Sequence, residues 1–313
     1  MLTNSELTAV FIKQGPAVTA QDFIETSEPV EVKIQTSKVE SNRLNGKMNS
    51  NTTITDTCKA NLEFNVKHTM RSVPVGEKPE YLDLLLVGGF KEDTKTPDQH
   101  QIVNDSNLQQ GSAMIYVDGW KYSSTDSLIS DVNMTLQVGQ PATINAKVSG
   151  YADSIVPVKE VNPTVTLDHN DPLVVSCATI LSYDNVVIPT ENIVISVNPD
   201  VKNIYTMGGA KGLKKDYIGN YKLEMKVTYP EDKDTFDVQP KALKAEQIKE
   251  IKIILNADDL GKPVDGVSTV ITASFAQATD IQDASSDSRV NRTVTYRLQD
   301  GATPALVIAN GKF

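Results

Sequence analysis

The sequence predicts a mainly β protein made of two similar β-sandwich or half-barrel domains, each with one flanking helix. Three observations carry this expectation. Apolar and polar residues alternate over 58–68 (CKANLEFNVKH), the period of two that turns one strand face to a core and the other to water. The same alternation recurs in the second half, where Tyr221, Leu223, Met225, Val227 and Tyr229 share a face. Between the halves, 151–172 carries Pro157, Pro163 and Pro172 among acidic and polar residues, the composition of a linker. At 313 residues the chain has room for two domains of about 150 residues, or for one large β domain.

Taken in order, residues 1–30 are polar with weak apolar groups (Val10, Phe11, Ile12; Phe23, Ile24) and close on Pro29, which reads as an N-terminal arm rather than a core segment. Strand signals dominate from Val30. After the 58–68 strand comes PEYLDLLLVGGF (79–90), the one dense helical signal. Pro79 suits the first helical position, Glu80 and Asp83 complement the positive start, and Gly88 can adopt the left-handed conformation that stops the helix. Its apolar residues exceed a single stripe, so more than one face should be buried, with Leu82, Leu85 and Leu86 as candidates. The stretch 91–111 reads as a long polar loop. Residues 113–122 form a hairpin turning at Asp118 and Gly119. Alternating strands follow at 132–138, 144–148, 193–197, 221–229, 267–275 and 292–298. The expected organisation is an arm at 1–30, a first β domain at 31–156, a linker at 157–172 and a second β domain at 173–313.

An internal repeat supports two domains. A shift of 161 residues places Ile34 on Ile195, Leu62 and Glu63 on Leu223 and Glu224, and Pro79 with Leu82 on Pro240 with Leu243. It therefore predicts a second, fainter helix near 240–248. Past the helix two registers compete: a shift of 150 pairs 143–148 with 293–298, and a shift of 162 pairs 132–139 with 294–301. Alternating strands also match one another to some extent by chance.

Motifs for chemistry are sparse. His68, His100 and His169 show no metal-ligand spacing, and the Asp168 to Asp171 cluster lacks the glycine and terminal glutamate of a calcium loop. The glycines at 208, 209 and 212 lack the Gly-Lys-Ser/Thr ending of a phosphate loop and fit a hairpin tip. No nucleophile elbow, zincin or Cys-x-x-Cys motif occurs, so no enzyme and no cofactor are expected. Cys58 and Cys177 sit in apolar surroundings that suit buried thiols. The net charge of −10 argues against gripping nucleic acid through phosphates. No apolar run approaches ~20 residues and the N-terminus lacks a signal-like core, so membrane insertion and secretion are not expected; the Asn-x-Ser/Thr triplets at Asn51, Asn104, Asn133 and Asn291 then read as ordinary polar positions.

The order of an alternating strand, a polar loop and PEYLDLLLVGGF resembles a segment of the tail tube (major tail) proteins of long-tailed bacteriophages. So do SAMIYVDGWKYSSTDSLISDVNMTLQVGQPATINAKVSG and LSYDNVVIPTENIVISVNPDVKNI, and together these span about residues 30–300. The resemblance implies a virion protein whose rings of six β domains join their sheets around a lumen and stack into a tube. A chain with two such domains would form trimeric rings with pseudo-sixfold symmetry, assembled in the host cytoplasm. Its partners would be further copies of itself, the tape measure, the tail terminator and the baseplate, with DNA passing unbound. On this reading the polar faces of the two matched strands, Lys59, Glu63 and Lys67 with Lys222, Glu224 and Lys226, are candidates for the lumen. An acidic lining would repel phosphates, although these faces mix both signs. The polar 91–111 loop, through Lys91, Glu92, Asp93, Lys95 and Asp98, is the candidate contact between rings. The alternatives are a baseplate or distal tail component, or a β-sandwich binding module for which Trp120 would be the aromatic platform.

Overall fold

β-branched and aromatic residues at alternate positions commit most of this chain to strands. A computed structural model describes residues 8–35, 38–41, 52–55, 60–93, 98–105, 110–158, 170–176, 179–205, 213–230, 248–286, 289–301 and 303–313. The first half runs β1 (Ala9–Gln14), β2 (Phe23–Ile24), β3 (Val32–Gln35), β4 (Lys38–Ser41), β5 (Thr52–Thr55), β6 (Asn61–Thr69), α1 (Leu82–Val87), β7 (Phe90–Asp93), β8 (Gln99–Asn104), β9 (Gly111–Val117), β10 (Trp120–Gln137), β11 (Thr143–Tyr151) and β12 (Ser154–Pro157). The second half continues with β13 (Ile180–Tyr183), β14 (Val186–Val187), β15 (Asn192–Tyr205), β16 (Leu213–Pro230), β17 (Ile248–Leu255), β18 (Thr269–Ser286), β19 (Arg289–Leu298) and β20 (Leu306–Gly311). The protein is mainly β, as the alternation predicts, and every strand pairing among the described residues is antiparallel.

One long sheet crosses both halves in the order β3-β6-β11-β10-β15-β16-β19-β18. A second layer packs behind it. In the first half this layer is β2-β1-β9-β10-β12, and in the second it is β14-β13-β17-β18-β20. The 18-residue strands β10 and β18 belong to both layers. Register shifts between Ser124 and Ser127, between Ile129 and Asp131, and between Ala278 and Asp280 bend them from one layer into the other.

Both halves therefore share one strand order, with β3, β6, β11 and β10 answering to β15, β16, β19 and β18. Pairing of Thr69 with Thr143 and of Pro230 with Asn291 sets β11 against β19, two residues from the 150-residue register and on the same face. The 162-residue register would set β10 on β19, whereas the counterpart of β10 is β18.

The expected core faces are observed. Leu62, Phe64 and Val66 in β6, Val132, Met134 and Leu136 in β10, and Leu223, Met225, Val227 and Tyr229 in β16 are buried. Asp118 and Gly119 both take positive φ, 50° and 77°, in the two-residue turn that joins β9 to β10. A single cluster of buried side chains extends from Val10 to Ile308.

Several expectations need correction. Residues 1–30 are not only an arm: Val10, Phe11 and Ile12 are fully buried, and β1 pairs with β2 on one side and β9 on the other. Core strands therefore lie before residue 31. Pro172 and Val174 form bridges to Arg71 and Pro141, so the start of the expected second domain packs on the first half. The 91–111 segment is no long loop, because Lys91, Glu92 and Asp93 lie in β7, β7 pairs with β8, and β8 adds to the edge of β20. Of the other residues named there, Asp98 accepts a hydrogen bond from the Lys312 amide, and Lys95 lies outside the described residues. Gly88 has φ −87°, and Gly89, at +86°, takes the left-handed position instead. The second helix lies outside the described residues up to Ile248, which starts β17. Cys58, Cys177, Lys59, His169 and the glycines at 208, 209 and 212 also lie outside them.

Candidate functional site

Alternation along each strand of the long sheet sends one residue in two away from the core, and antiparallel registers line these residues up across strands. One row runs Lys67, Asn145, Asn133, Ser196, Glu224, Arg297 and Gln277, from β6 to β18 without a break. The neighbouring row runs Thr69, Thr143, Thr135, Val194, Lys226, Thr295 and Asp280. The junction between halves, β10 with β15, interrupts neither row. Five of the six candidate lumen residues, Glu63, Lys67, Lys222, Glu224 and Lys226, therefore share one continuous polar face, although they come from different halves of the chain.

The face is of mixed sign rather than acidic, and three of its lysines are paired with neighbouring carboxylates. Lys147 lies 3.6 Å from Glu63, Lys222 lies 2.9 Å from Glu224, and Lys67 pairs with Glu28. Between them amides and hydroxyls bond to each other: Ser196 Oγ donates to Asn133 Oδ1 at 2.7 Å and Asn133 Nδ2 donates to Asp131 Oδ1 at 2.9 Å. Phosphate gripping needs clustered, uncompensated cations, and paired surface charges project little net field. A shallow polar depression over Glu63, Lys67, Asn145 and Lys147 continues the same face.

The helix closes the other side of the core. Leu82, Leu84, Leu85 and Val87 are buried, Leu86 is half-buried, and α1 packs against β1, β7 and β10. The bare edge of Gly111 makes this approach possible, since a Cβ there would come within 2.4 Å of Val87 Cγ2 and 2.7 Å of the Lys13 carbonyl. Burial pushes the Asp83 carboxyl up from its ordinary value, against an opposing hydrogen bond from the Gln14 backbone. Just before the helix, the Tyr81 hydroxyl donates to Asn310 Oδ1 at 2.9 Å, an oxygen that also accepts from Thr269 Oγ1 at 2.7 Å. Tyr81 thereby ties the first half to β18 and β20. Burial raises the Tyr81 hydroxyl well above the usual phenol range, so it stays a donor at any working pH.

Other candidate groups have structural surroundings. His68 is buried, 6.0 Å from the Tyr81 ring, with Nδ1 2.9 Å from the Glu25 carbonyl; His100 Nδ1 lies 2.5 Å from Glu92. Among the described residues no group of His, Cys, Asp and Glu is placed to hold a metal, and no helix is long and apolar enough to cross a membrane. Sequence reasoning missed Tyr81 with Asn310 and the docking of β8 on β20. Both are pairings across about two hundred positions with no local signature. No family model matches the chain, and no curated protein matches it.

Proposed function

We propose that this chain is a structural protein of a phage tail tube, in which three copies form a ring of pseudo-sixfold symmetry around a lumen that conducts DNA. The observation that carries this reading is the continuous polar face. One chain supplies two successive segments of the same strand order, already joined edge to edge, with the core on one side and a polar surface of mixed, partly paired charge on the other. Among the described residues, β3 and the outer part of β18 pair on one side only, at opposite margins of this sheet. Joining the two margins between copies would extend the sheet into a ring. Three chains of eight strands would bring about 24 strands; at ~4.8 Å between strands the perimeter is roughly 115 Å and the backbone diameter roughly 37 Å, room for side chains and a passing duplex.

The further partners on this reading are the tape measure, terminator and baseplate proteins of the same tail, and the mature location is the virion. Electron microscopy of purified protein, or of virions, tests it. Stacked rings of three chains are expected. A chain that stays monomeric even with tail initiator proteins present would overturn the reading.

A further inference from the structure

In the second half, β20 forms two pairings: β18 lies on one side, and the β7–β8 hairpin of the first half covers the other. The counterpart of β20 in the first half is β12. Tyr122 of β10 pairs with Ile155 as Ile271 of β18 pairs with Ile308, so Ile155 and Val156 occupy the places of Ile308 and Ala309. Their surroundings differ sharply. Ile308 is 0% exposed and Ala309 7%, whereas Ile155 is 39% and Val156 43% exposed. The cover on β20 is apolar, with Ile102 opposite Ile308 and Val103 opposite Val307. Nothing among the described residues covers β12.

We infer that the β12 edge is a contact surface for a second copy of this chain, which adds a strand there as β8 does on β20. The inference builds on the ring reading only in supposing that copies associate head to tail; otherwise it rests on the internal repeat. The backbone suits it. The Val158 amide donates to the Gly119 carbonyl at 2.8 Å, so alternate residues face β10 and the N–H and C=O of Ile155 face outward. Pro157 lacks an N–H on that same outward side, so an added strand would bond there through Ile155 and the Pro157 carbonyl. Trp120, paired with Pro157 and 43% exposed, lies on the same sheet face as Tyr122 and Ile155 and adds a large aromatic anchor.

Full-length protein taken through a concentration series tests this, by sedimentation, amide hydrogen exchange and the fluorescence of Trp120, the only tryptophan in the chain. As copies associate, Trp120 emission should shift to the blue and the Ile155 amide should become protected. Ile155→Lys and Val156→Lys place charge on residues that are exposed in the isolated chain, so each should keep the wild-type melting temperature. Each should raise the concentration needed for association about tenfold or more, the change that ~1.4 kcal/mol at the contact produces. If both variants associate like wild type and the Ile155 amide stays unprotected, the inference falls, while a ring built on other contacts stands. If association depends on Ile155 but micrographs show no rings, the edge contact stands and the ring reading falls. A wild-type chain that is monomeric at every concentration overturns the contact.

Discussion

Replacing Leu85 tests whether α1 is the plug of the first-half core. Leu85 is fully buried in the main cluster, on a helix six residues long that cannot persist without tertiary packing. Leu85→Ala removes the side-chain contacts to the strands around it and leaves a cavity, a change that costs about 3 kcal/mol. Against a total stability of about 5–15 kcal/mol, that lowers the urea midpoint and melting temperature measurably without unfolding the chain. Leu85→Asp adds the burial of a carboxylate within the apolar cluster, several kcal/mol more, and should abolish folding. Leu86→Ala, at a half-buried position, serves as the internal control and should cost about 1 kcal/mol. Far-UV circular dichroism against temperature and urea reads all three. Because the buried cluster extends through both halves, Leu85→Ala should shift one cooperative transition. A Leu85→Asp protein that melts with wild type would show that the helix is not packed as described. A variant scan that splits into two transitions, only one of them shifted, would show that the halves fold independently.

Three further outcomes follow from particular residues. The raised Asp83 carboxyl binds its proton more tightly in the folded chain, so its stabilising contribution is fully present below the ordinary value of 3.8 and is lost as pH rises through the folded-state value. Asp83→Asn should therefore melt higher than wild type at pH 7, and the gap should close as the pH is lowered toward 4; a constant gap would reject the assignment. Gly311 has φ +92°, and a Cβ there would lie 2.5 Å from the Asp98 carbonyl, so Gly311→Ala should cost about 2 kcal/mol and speed hydrogen exchange in β8 first. Reversing both exposed lysines in Lys222→Glu/Lys226→Glu should change stability by less than about 1 kcal/mol, since the polar face bears no core packing; a large loss of melting temperature would mean that this face is covered in the isolated chain.

What could be read from the sequence was what depends on near neighbours. The faces of β6, β10 and β16 follow from period-two alternation, and the Asp118 and Gly119 turn from the positive φ that those two residues tolerate. The burial of α1 was legible because Tyr81 to Val87 leaves no polar stripe for water. Val10, Phe11 and Ile12 misled because a strand buried on both faces shows an apolar run instead of alternation. The hairpin of β7 and β8 was hidden by the polar side chains of Lys91, Glu92 and Asp93, and its docking partner lies at the far end of the chain. The sequence match between the halves is lost past the helix although the strand order is kept. Thr69 answers to Pro230 at a shift of 161, but Ile115 answers to Ile253 at a shift of 138, and the longer connection at 256–268, against the two-residue turn between β9 and β10, raises the shift again, so no single shift aligns the strands past the helix. The polar face was legible strand by strand, but its continuity depends on the pairing of β10 with β15, which only the fold supplies.

The strand order shared by the two halves sets their internal junction beside the margins of the sheet. The two halves meet twice, by β10 against β15 in the long sheet and by β8 against β20 in the second layer. The strands that would make the same two contact types at the outer margins pair on one side only among the described residues: β3 and the outer part of β18 at the margins of the long sheet, and β12 with its exposed Ile155 and Val156 in the second layer. A strand edge with apolar side chains is a liability for an isolated protein, yet charge has not been placed on β12 to blunt it. A closed ring is the arrangement in which every junction can resemble the internal one and no edge is left over. PEYLDLLLVGGF fits that scheme as more than a plug, because Tyr81 at its head bonds Asn310 and so holds the one junction that the chain completes by itself.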